Sequence, residues 1–571
     1  TVGRALGPGD RPRVVAHVDV DAFYAQVEHR RLGVPRTKPL GVQQWSGLIA
    51  VNYPARAAGV RRGARVEEAK RLCPDLVCVH VETVGGSAAG DRKTSKASLD
   101  RYRTASMEVM DVLCRFEAVV VERASIDEAY LDLTTAVEGR LAERKDRAGG
   151  GGTPESEGEL RPDVRASTRI IGEEEAGAGF FRGSQAVFLL EGARLVAEIR
   201  AEVLAATEYT MSAGISTNKL LSKVASAQNK PNLQTVIYPA AAAAMIGAVE
   251  LKKIPKLGGK LGDEVLAWMR GFVGGAAGGA PPTAALLQKI SAARAKEMRA
   301  KFGPETAAWL ANICQGVDNS AVKPNMEPKS LLAFKSFEAI STVEAGRDWL
   351  EVLAEDLANR MRTDKERWNR VATSITLHCR GRLNKDHLDQ WQRGNAANLT
   401  TTVSRTMRMP GGGGAYPPSA AALVEAGLTL WGRCGAGGGR ERVLLPCTRL
   451  ALGASKFAKL PEGKGIGDYL VAVQRRPAQE EEEAGKAPVE KPVGEKAEEE
   501  GGAEAASATF FVCARCRATL PSVQEAVHRD MHFAEDLARR EVAGQHSLAN
   551  GIGQGPPQPQ PEGGAKPRKT G

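Results

Sequence analysis

The chain has 571 residues, of which 42% are hydrophobic and 26% are charged. This length predicts roughly three to five domains, and the composition is typical of globular protein rather than of a disordered or fibrous chain. The formal net charge of +10 favours a polyanionic partner without establishing one. No apolar run is long enough to span a bilayer, so no membrane association is expected. Most of the nine cysteines show no pairing pattern, which is typical of a reducing compartment.

The first part of the chain alternates short β-branched runs with amphipathic segments. Strands are predicted at 14–18, 48–51, 119–121, 129–133 and 211–216. Helices are predicted at 22–31, 66–72, 99–116, 192–207 and 218–229. Residues 146–178 are rich in glycine and charge and are predicted to form a surface insertion. This irregular mixture predicts an α+β fold rather than a regular βαβ alternation.

The pattern changes after residue 238. Residues 239–322 are predicted to be helical, and strands are predicted again at 331–334, 371–379 and 444–452, with a helix at 343–362. No element is assigned between 382 and 438. The segment 461–508 has few large apolar residues and is predicted to be a disordered linker, as is the tail 542–571.

Acidic residues stand at the ends of two predicted strands, in Asp19-Val20-Asp21 and in Asp127-Glu128. Magnesium binds a few carboxylates together with substrate phosphates, and two such ions about 4 Å apart can hold the attacking and leaving oxygens of a phosphoryl transfer. The alternative is that these acids cap turns, and spacing alone favours that interpretation. Strand periodicity also places Asp19 and Asp21 on one face and separates Asp127 from Glu128.

The sequence around these acids resembles a known family. Residues 15–28, VAHVDVDAFYAQVE, and residues 122–133, ERASIDEAYLDL, closely resemble the two catalytic motifs of the Y-family translesion DNA polymerases, the second in the form seen in the polymerase eta branch. The resemblance implies that two magnesium ions are held by Asp19, Asp127, Glu128 and the backbone carbonyl of Val20. It requires a local turn to bring Asp127 and Glu128 together, and it makes Asp21 structural.

The family fold is an α+β right hand of palm, fingers and thumb with a little-finger domain, and here a C-terminal ββα-type zinc finger would follow. The domains implied are the palm at 11–23 and 82–238 with a surface insertion at about 140–185, the fingers at 24–81, the thumb at 239–323, the little finger at 324–460, the linker at 461–508, the zinc finger at 509–541 and the tail at 542–571.

The resemblance also implies a pocket for the incoming nucleotide. Tyr24 would be the steric gate beneath the sugar, with Phe23 beside it, and residues 49–62 resemble the fingers of the eta branch. An arginine fork suits phosphate oxygens, although a lone Arg or Lys is by default a solvated surface charge. The further contacts implied are Tyr53, Arg56 and Lys230 at the triphosphate, Arg62 over the incoming base and Gln44 near the template base.

A glycine-containing turn in the predicted thumb resembles a helix-hairpin-helix turn. Gly258 and Gly259 would let the backbone approach a DNA phosphate closely, with Lys260 beside them. The alternative is a plain loop. Basic residues along the little-finger strands would follow the backbone of primer–template DNA, and the affinity would then fall with salt.

The C-terminal region contains Cys513, Cys516, His528 and His532 in the spacing C-x2-C-x11-H-x3-H. This spacing predicts one structural zinc ion. DNA binding is the usual first hypothesis for such a finger, but its helix contains few basic residues. The finger instead resembles the ubiquitin-binding finger of the eta branch, which makes Asp530 the ubiquitin contact and Phe533 its neighbour.

The resemblance as a whole implies a monomeric nuclear enzyme that adds dNTPs to a primer, bypasses damaged bases such as UV pyrimidine dimers and is recruited by ubiquitin on the sliding clamp, PCNA. Two alternatives stay open. One is a sister enzyme of the family with a different lesion preference. The other is a non-catalytic ubiquitin-binding scaffold at stalled forks, against which the intact set of carboxylates argues.

Overall fold

The computed structural model describes residues 12–85, 91–147, 160–172, 184–272, 281–382, 400–411, 416–434, 443–460, 510–512 and 519–521. They belong to two compact units, Thr1–Ala478 and Gln479–Gly571. Within these described ranges, no helix has both the length and the apolar character needed to cross a membrane.

The first unit contains strands and helices in mixed order, as an α+β fold requires. Its strands are β1 (Val15–Val20), β2 (Leu40–Gln44), β3 (Gly47–Val51), β4 (Val77–His80), β5 (Thr83–Val84), β6 (Lys96–Ala97), β7 (Val120–Arg123), β8 (Glu128–Asp132), β9 (Thr168–Ile171), β10 (Met211–Ser216), β11 (Gln234–Ile237), β12 (Ser330–Ile340), β13 (Arg370–Arg382), β14 (Thr400–Arg408) and β15 (Cys447–Lys459). Its helices are α1 (Phe23–Leu32), α2 (Tyr53–Ala57), α3 (Val66–Leu72), α4 (Asp100–Leu113), α5 (Thr134–Arg147), α6 (Pro162–Ala166), α7 (Ser184–Thr207), α8 (Lys219–Ser226), α9 (Pro239–Ala248), α10 (Lys260–Arg270), α11 (Ala284–Ala293), α12 (Ala295–Phe302), α13 (Pro304–Ile313), α14 (Val343–Trp368) and α15 (Ala420–Gly432).

A six-stranded sheet in the order β7-β8-β1-β10-β11-β9 forms the centre of this unit. The strand β1 is antiparallel to both of its neighbours, β8 and β10. Residues alternate between the faces of a strand, so consecutive residues of β10 show what covers each face. At Gly214 a Cβ atom would meet α8, whereas Ile215 lies against Gly192 of α7. Helices therefore cover both faces, and this explains why almost every residue of β1 and β10 is buried.

The predicted surface insertion at 140–185 is partly wrong. Residues Thr168–Ile171 form β9, which pairs in parallel with β11 at the edge of the six-stranded sheet. The side chain of Thr168 is fully buried, and its hydroxyl donates to the carbonyl of Val164. The strand has only four residues and lies between glycine-rich and charged stretches. Composition averaged over that region therefore concealed it.

Two smaller modules accompany the central sheet. In one, β3, β2 and β4 form a three-stranded sheet with its own apolar cluster, which includes Leu48, Val51 and Val60. In the other, helices α9 to α13 bury a separate cluster that takes in Leu220 and Leu221 of α8. The helix α8 thus serves as packing surface for both the central sheet and the helical module.

The last large module is a four-stranded antiparallel sheet in the order β12-β15-β13-β14. The helix α14 packs against β12 and β15, and α15 packs against β13. The predicted helix at 343–362 continues to Trp368, and the strand predicted at 444–452 is displaced to Cys447–Lys459. The unassigned region 382–438 contains β14 and α15. Trp431 of α15 is buried against Gly346 of α14, so these elements belong to the core.

The described part of the second unit is a short hairpin. Its strands β16 (Phe510–Val512) and β17 (Thr519–Pro521) pair in antiparallel register. The residues between and after them, and the predicted linker and tail, lie outside the described residues.

The close approach of α8 to the sheet gives a stability prediction. A Cβ atom added to Gly214 would lie 2.0 Å from the carbonyl oxygen of Ser222 and 2.3 Å from the amide nitrogen of Ser226. Because this backbone cannot move aside cheaply, Gly214→Ala should lower the free energy of unfolding by about 3 kcal/mol or more. Thermal unfolding followed by circular dichroism measures the loss.

Gly139 is the matched control. It lies in the exposed part of α5, and a Cβ atom there meets nothing within 4 Å. Gly139→Ala should therefore raise the stability by about 1 kcal/mol through helix propensity. An unchanged melting temperature for Gly214→Ala would contradict the packing of α8 described above.

Candidate active site

The predicted acidic residues meet at one end of the central sheet. Asp19 on β1 lies directly opposite Glu128 on β8 in the antiparallel register. The amide of Val20 donates to the carbonyl of Asp127 at 2.9 Å, which joins the end of β1 to the turn before β8. The backbone thus brings Asp19, Asp127 and Glu128 into one neighbourhood, as the sequence motifs predicted.

A tight turn explains how the adjacent acids Asp127 and Glu128 can serve one site. The amides of Ala124 and Ser125 both donate to the carbonyl of Glu128, and the hydroxyl of Ser125 donates to Oδ1 of Asp127 at 2.6 Å. Asp127 therefore precedes the regular strand. The alternation of side chains in a strand does not apply to it, and the local turn required by the family resemblance is present.

Asp21 has different surroundings from Asp19, because its carboxylate is engaged by the protein itself. Its side chain is buried, and its carboxylate accepts hydrogen bonds from the hydroxyl of Ser212 at 2.7 Å and the amide of Asn232 at 2.8 Å. Strand β1 ends at Val20, and Ala22 adopts a left-handed conformation with φ of 44°. The chain turns at this point, so Asp21 leaves the face that periodicity had given it.

Two lysines balance the acidic cluster. Nζ of Lys230 forms an ion pair with Oδ1 of Asp19, and Nζ of Lys223 donates to Oε1 of Glu128 at 2.6 Å. Burial raises the pKa of Asp19 to about 7 against the opposing effect of Lys230, and burial likewise raises the pKa of Asp127. Negative charge is therefore incompletely compensated at these two carboxylates.

Glu128 and His17 complete the electrostatics of the cluster. Burial alone raises the pKa of Glu128, but the nearby His17 ring and the Lys223 ammonium outweigh burial and hold that pKa below its usual range. Burial lowers the pKa of His17 to about 4, so its ring is neutral at pH 7. One ring nitrogen lies 2.8 Å from the hydroxyl of Ser226 and the other 3.3 Å from Nζ of Lys223.

The carboxylates suit magnesium but do not form a closed cage. Among the described residues, no group of three or more His, Cys, Asp or Glu side chains stands close enough to hold a metal ion as arranged. Two of the carboxylates instead form ion pairs with lysines, Asp19 with Lys230 and Glu128 with Lys223. Like charges in a buried site repel, and magnesium sites are commonly completed by substrate phosphates. Oxygen donors with unbalanced charge at Asp19 and Asp127 therefore fit a divalent cation.

An aromatic stack lies at the start of α1, the helix that follows β1. The ring of Tyr24 on α1 stacks on Tyr102 of α4 with a centroid separation of 4.1 Å. The hydroxyl of Tyr102 donates to Oε1 of the buried Glu28 at 2.8 Å. Because this hydrogen bond holds Tyr102, the stacking fixes the orientation of the Tyr24 ring. Phe23 is 3% exposed and faces Tyr209, so its side chain belongs to the core and only its backbone could reach a nucleotide.

The residues of the predicted fingers lie on the three-stranded module. The hydroxyl of Tyr53 lies 3.4 Å from Oδ1 of Asp21, which ties this module to the end of β1. The guanidinium of Arg56 lies 4.7 Å from the centroid of the Tyr53 ring. Gln44 ends β2, and Arg62 lies in the exposed loop before Gly63, whose φ of 88° favours glycine.

The predicted DNA-binding turn is exposed at the start of a helix. Gly258 and Gly259 are exposed, and Lys260 begins α10. A Cβ atom on Gly259 would meet nothing within 4 Å, so its surroundings are open. The first amides of a helix lack internal partners and carry partial positive charge. This geometry is compatible with a phosphate contact.

The predicted zinc and ubiquitin residues lie outside the described residues. They are Cys513, Cys516, His528, His532, Asp530 and Phe533. The described strands β16 and β17 flank the two cysteines, as a hairpin carrying a C-x2-C pair requires.

Sequence reasoning missed the partners that α8 contributes to the site. Lys223 and Ser226 project from this helix to Glu128 and His17. Asn218 caps the helix by accepting the amide of Leu221 at 2.9 Å, which fixes where the helix begins. The spacing of polar residues within an otherwise apolar helix was the available signal, but only the sheet register shows which carboxylate each one meets.

Three parts of this chain match known protein families. Residues 18–227 match the impB/mucB/samB family, and residues 328–466 match the C-terminal domain of the same family. Residues 509–540 match the Ubiquitin-Binding Zinc Finger. The chain therefore belongs to the impB/mucB/samB family, the Y family of DNA polymerases.

Within this family the chain is similar to several named polymerases. It is 36% identical over 394 residues to DNA polymerase eta of Arabidopsis thaliana, covering 66% of this chain and 54% of the relative. It is 33% identical over 401 residues to DNA polymerase eta of Drosophila melanogaster, covering 64% and 42%. It is 31% identical over 366 residues to DNA polymerase iota of Homo sapiens, covering 62% and 42%. The chain thus spans about half the length of the curated relatives that it matches.

The unbalanced charge at Asp127 gives a second prediction. Because burial raises the pKa of this carboxyl, its ionised form at pH 7 costs the fold stability. Asp127→Asn keeps an acceptor for the hydroxyl of Ser125 and removes the charge, so it should raise the melting temperature in metal-free buffer. Addition of magnesium should then stabilise the wild type more than the variant.

Asp132, at the other end of β8, provides the control. Its carboxylate accepts the amide of Thr134 and lies away from the cluster. Asp132→Asn should leave the stabilisation by magnesium unchanged. If Asp127→Asn melted below the wild type without metal, the electrostatic description of the cluster would be wrong.

Proposed function

We propose that this chain is a DNA-directed DNA polymerase of the eta type, which extends a primer past damaged template bases by nucleotidyl transfer with two magnesium ions. The observation that carries the proposal is the convergence of Asp19, Asp127 and Glu128 at one sheet end, with Lys230 beside them. Membership of the Y family and similarity to polymerases named eta support the same activity.

The modules correspond to the parts of a polymerase hand. The six-stranded sheet is the palm, the module of β2 to β4 is the fingers, helices α9 to α13 are the thumb, and the four-stranded sheet is the little finger. These assignments follow the order of modules along the chain and the boundaries expected from the family. The sheet end with the carboxylates then faces the junction where the primer terminus meets its next nucleotide.

The site residues divide the reaction between them. Asp19, Asp127 and Glu128 would hold magnesium, which when bound activates the primer hydroxyl and stabilises charge on the phosphates. Lys230 and Arg56 would bind the triphosphate of the incoming dNTP, since Lys230 pairs with Asp19 and Arg56 lies over the ring of Tyr53. Tyr24 would exclude a sugar carrying a 2′-hydroxyl, because stacking on Tyr102 keeps the Tyr24 ring from moving aside.

The template side of the proposal concerns damaged bases. Gln44 and Arg62 would meet the template base and the incoming base, and the turn at Gly258–Lys260 would hold a DNA phosphate. The chain is similar to polymerases named eta and to polymerases named iota, so a bypass assay on defined lesions is the measurement that distinguishes their lesion preferences. Our proposal is bypass of UV pyrimidine dimers, with a sister enzyme of different preference as the alternative outcome.

The C-terminal finger would bring the enzyme to its substrate. Cys513, Cys516, His528 and His532 have the spacing of a structural zinc site, and the match to a ubiquitin-binding finger covers them. Asp530 and Phe533 would contact ubiquitin. Ubiquitin on the sliding clamp PCNA at stalled forks in the nucleus would then be the partner, with the enzyme acting as a monomer.

The catalytic assignment predicts the behaviour of a double variant. Replacement of both Asp127 and Glu128 by alanine should slow primer extension opposite a thymine dimer by at least about a thousandfold, because loss of the metal removes several kcal/mol of transition-state stabilisation. Single-turnover extension of a labelled primer measures the rate.

Asp132→Asn is the control for this experiment, since it changes an acid of the same strand outside the cluster. It should extend the primer at the rate of the wild type. Equal rates for the double variant and the wild type would reject the metal assignment. A wild type that binds ubiquitin but never extends a primer would favour the scaffold alternative.

The finger assignment predicts separable functions. Asp530→Ala should weaken binding to ubiquitin at least about tenfold while leaving primer extension on naked DNA unchanged. Isothermal titration with ubiquitin measures the affinity, and Asp536→Ala, in the same predicted helix, is the control that should bind normally. Retained binding in Asp530→Ala would contradict the proposed contact.

A further inference from the structure

The loop that carries Lys230 is held by a buried residue to which the proposed function assigns no role. This loop, residues 229–233, joins the end of α8 to β11. Lys230 reaches from it to Asp19. Two residues further on, Asn232 has a φ of 52°, a left-handed conformation that costs free energy for most residues but is tolerated by asparagine. Such a conformation persists only where surrounding contacts fix it.

Arg200 supplies those contacts from one side. It projects from α7 and is 8% exposed. Its Nη2 donates to the carbonyl oxygen of Asn232 at 2.6 Å and to Oδ1 of the same residue at 2.9 Å. Its Nε donates to the carbonyl of Met211 at 2.9 Å. One guanidinium thus fixes the loop to the start of β10, the strand beside β1.

Asp21 supplies the contact from the other side. Its Oδ2 accepts the amide of Asn232 at 2.8 Å, while its Oδ1 accepts the hydroxyl of Ser212 and lies 3.4 Å from that of Tyr53. Asn232 is therefore held between a buried guanidinium and a buried carboxylate. Through Asp21 the same network reaches Tyr53, which the family resemblance also implies as a triphosphate contact.

We propose that Arg200 is a positioning residue for the triphosphate of the incoming nucleotide, which it serves by holding Asn232 and so fixing where the Lys230 ammonium stands relative to Tyr53. The inference rests on the function proposed above. Arg200 itself is buried and acts through the loop. Its planar fork is needed because Nη2 donates to Asn232 while Nε donates to Met211 at the same time, and the single ammonium nitrogen of a lysine cannot span both places.

Arg200→Lys tests the proposal with little change in volume or charge. In steady-state primer extension by the full chain, the KM for the dNTP should rise about tenfold, the equivalent of one charge-assisted hydrogen bond, while kcat changes by less than about threefold. The affinity for primer–template DNA should stay at the wild-type value. A purely structural role would instead lower the active fraction, and with it kcat, at unchanged KM.

Arg194→Lys is the matched control. Arg194 is also a buried arginine of α7, and its Nη1 donates to Glu191 of its own helix at 2.8 Å. Both variants should lose similar thermal stability. Only Arg200→Lys should raise the KM. An equal rise in KM for both variants, or none in Arg200→Lys, overturns the inference.

A binding measurement separates this inference from the proposed activity. The dissociation constant of dATP is measured by fluorescence titration on the full chain with magnesium and a dideoxy-terminated primer–template, so that no turnover is needed. Weaker binding by Arg200→Lys supports the inference even if the wild type fails to extend primers, an outcome that would reject only the polymerase activity. Equal dATP binding by both proteins, or none by the wild type, overturns the inference.

Discussion

The pairing of Asp19 with Glu128 across two central strands is the constraint on which the site depends. It places carboxylates at the end of a sheet that is covered by helices on both faces, where water can neutralise charge only poorly. The ammonium groups of Lys230 and Lys223 supply positive charge to these carboxylates. The fold thus keeps a concentration of buried negative charge that costs it stability, and a divalent cation bound there would relieve that cost.

Close helix packing delivers the balancing charges to this cluster. Because Gly214 has no side chain, the backbone of α8 approaches β10 closely enough for Ser226 to meet His17 and for Lys223 to meet Glu128. The opposite face of the same helix contributes Leu220 and Leu221 to the core of the helical module. A single short helix therefore couples the electrostatics of the site to the packing of the module proposed to grip DNA.

The sequence predicts the parts of this site that lie in contiguous motifs, and it fails where tertiary contacts decide. Asp19, Asp127 and Glu128 could be recognised because they lie in long motifs that resemble those of a known family, whereas their spacing alone favoured turn-capping acids. The ambiguity between Asp19 and Asp21 could not be resolved by periodicity, since the left-handed Ala22 ends the alternation. The strand Thr168–Ile171 and the helix Ala420–Gly432 were not predicted from the sequence. The strand is short, the helix is Ala-rich, and both lie in glycine-rich surroundings, so their burial by residues distant in the chain left no local pattern. Lys223 could be assigned to Glu128 only once the sheet register and the packing of α8 were known.

Buried polar contacts join the four-stranded module to the segment that contains β6. Nζ of Lys335 on β12 donates to the carbonyls of Arg92 and Ser95 at 2.9 and 2.6 Å, and Lys96 pairs with Asp356 of α14 at 3.2 Å. Burial lowers the pKa of Lys96 despite that partner, so the junction retains a desolvation cost. Buried polar contacts of this kind specify one docked arrangement, because each buried donor would lose its partner in any other. The four-stranded module, which has an apolar core of its own, is therefore positioned by specific polar partners at this junction.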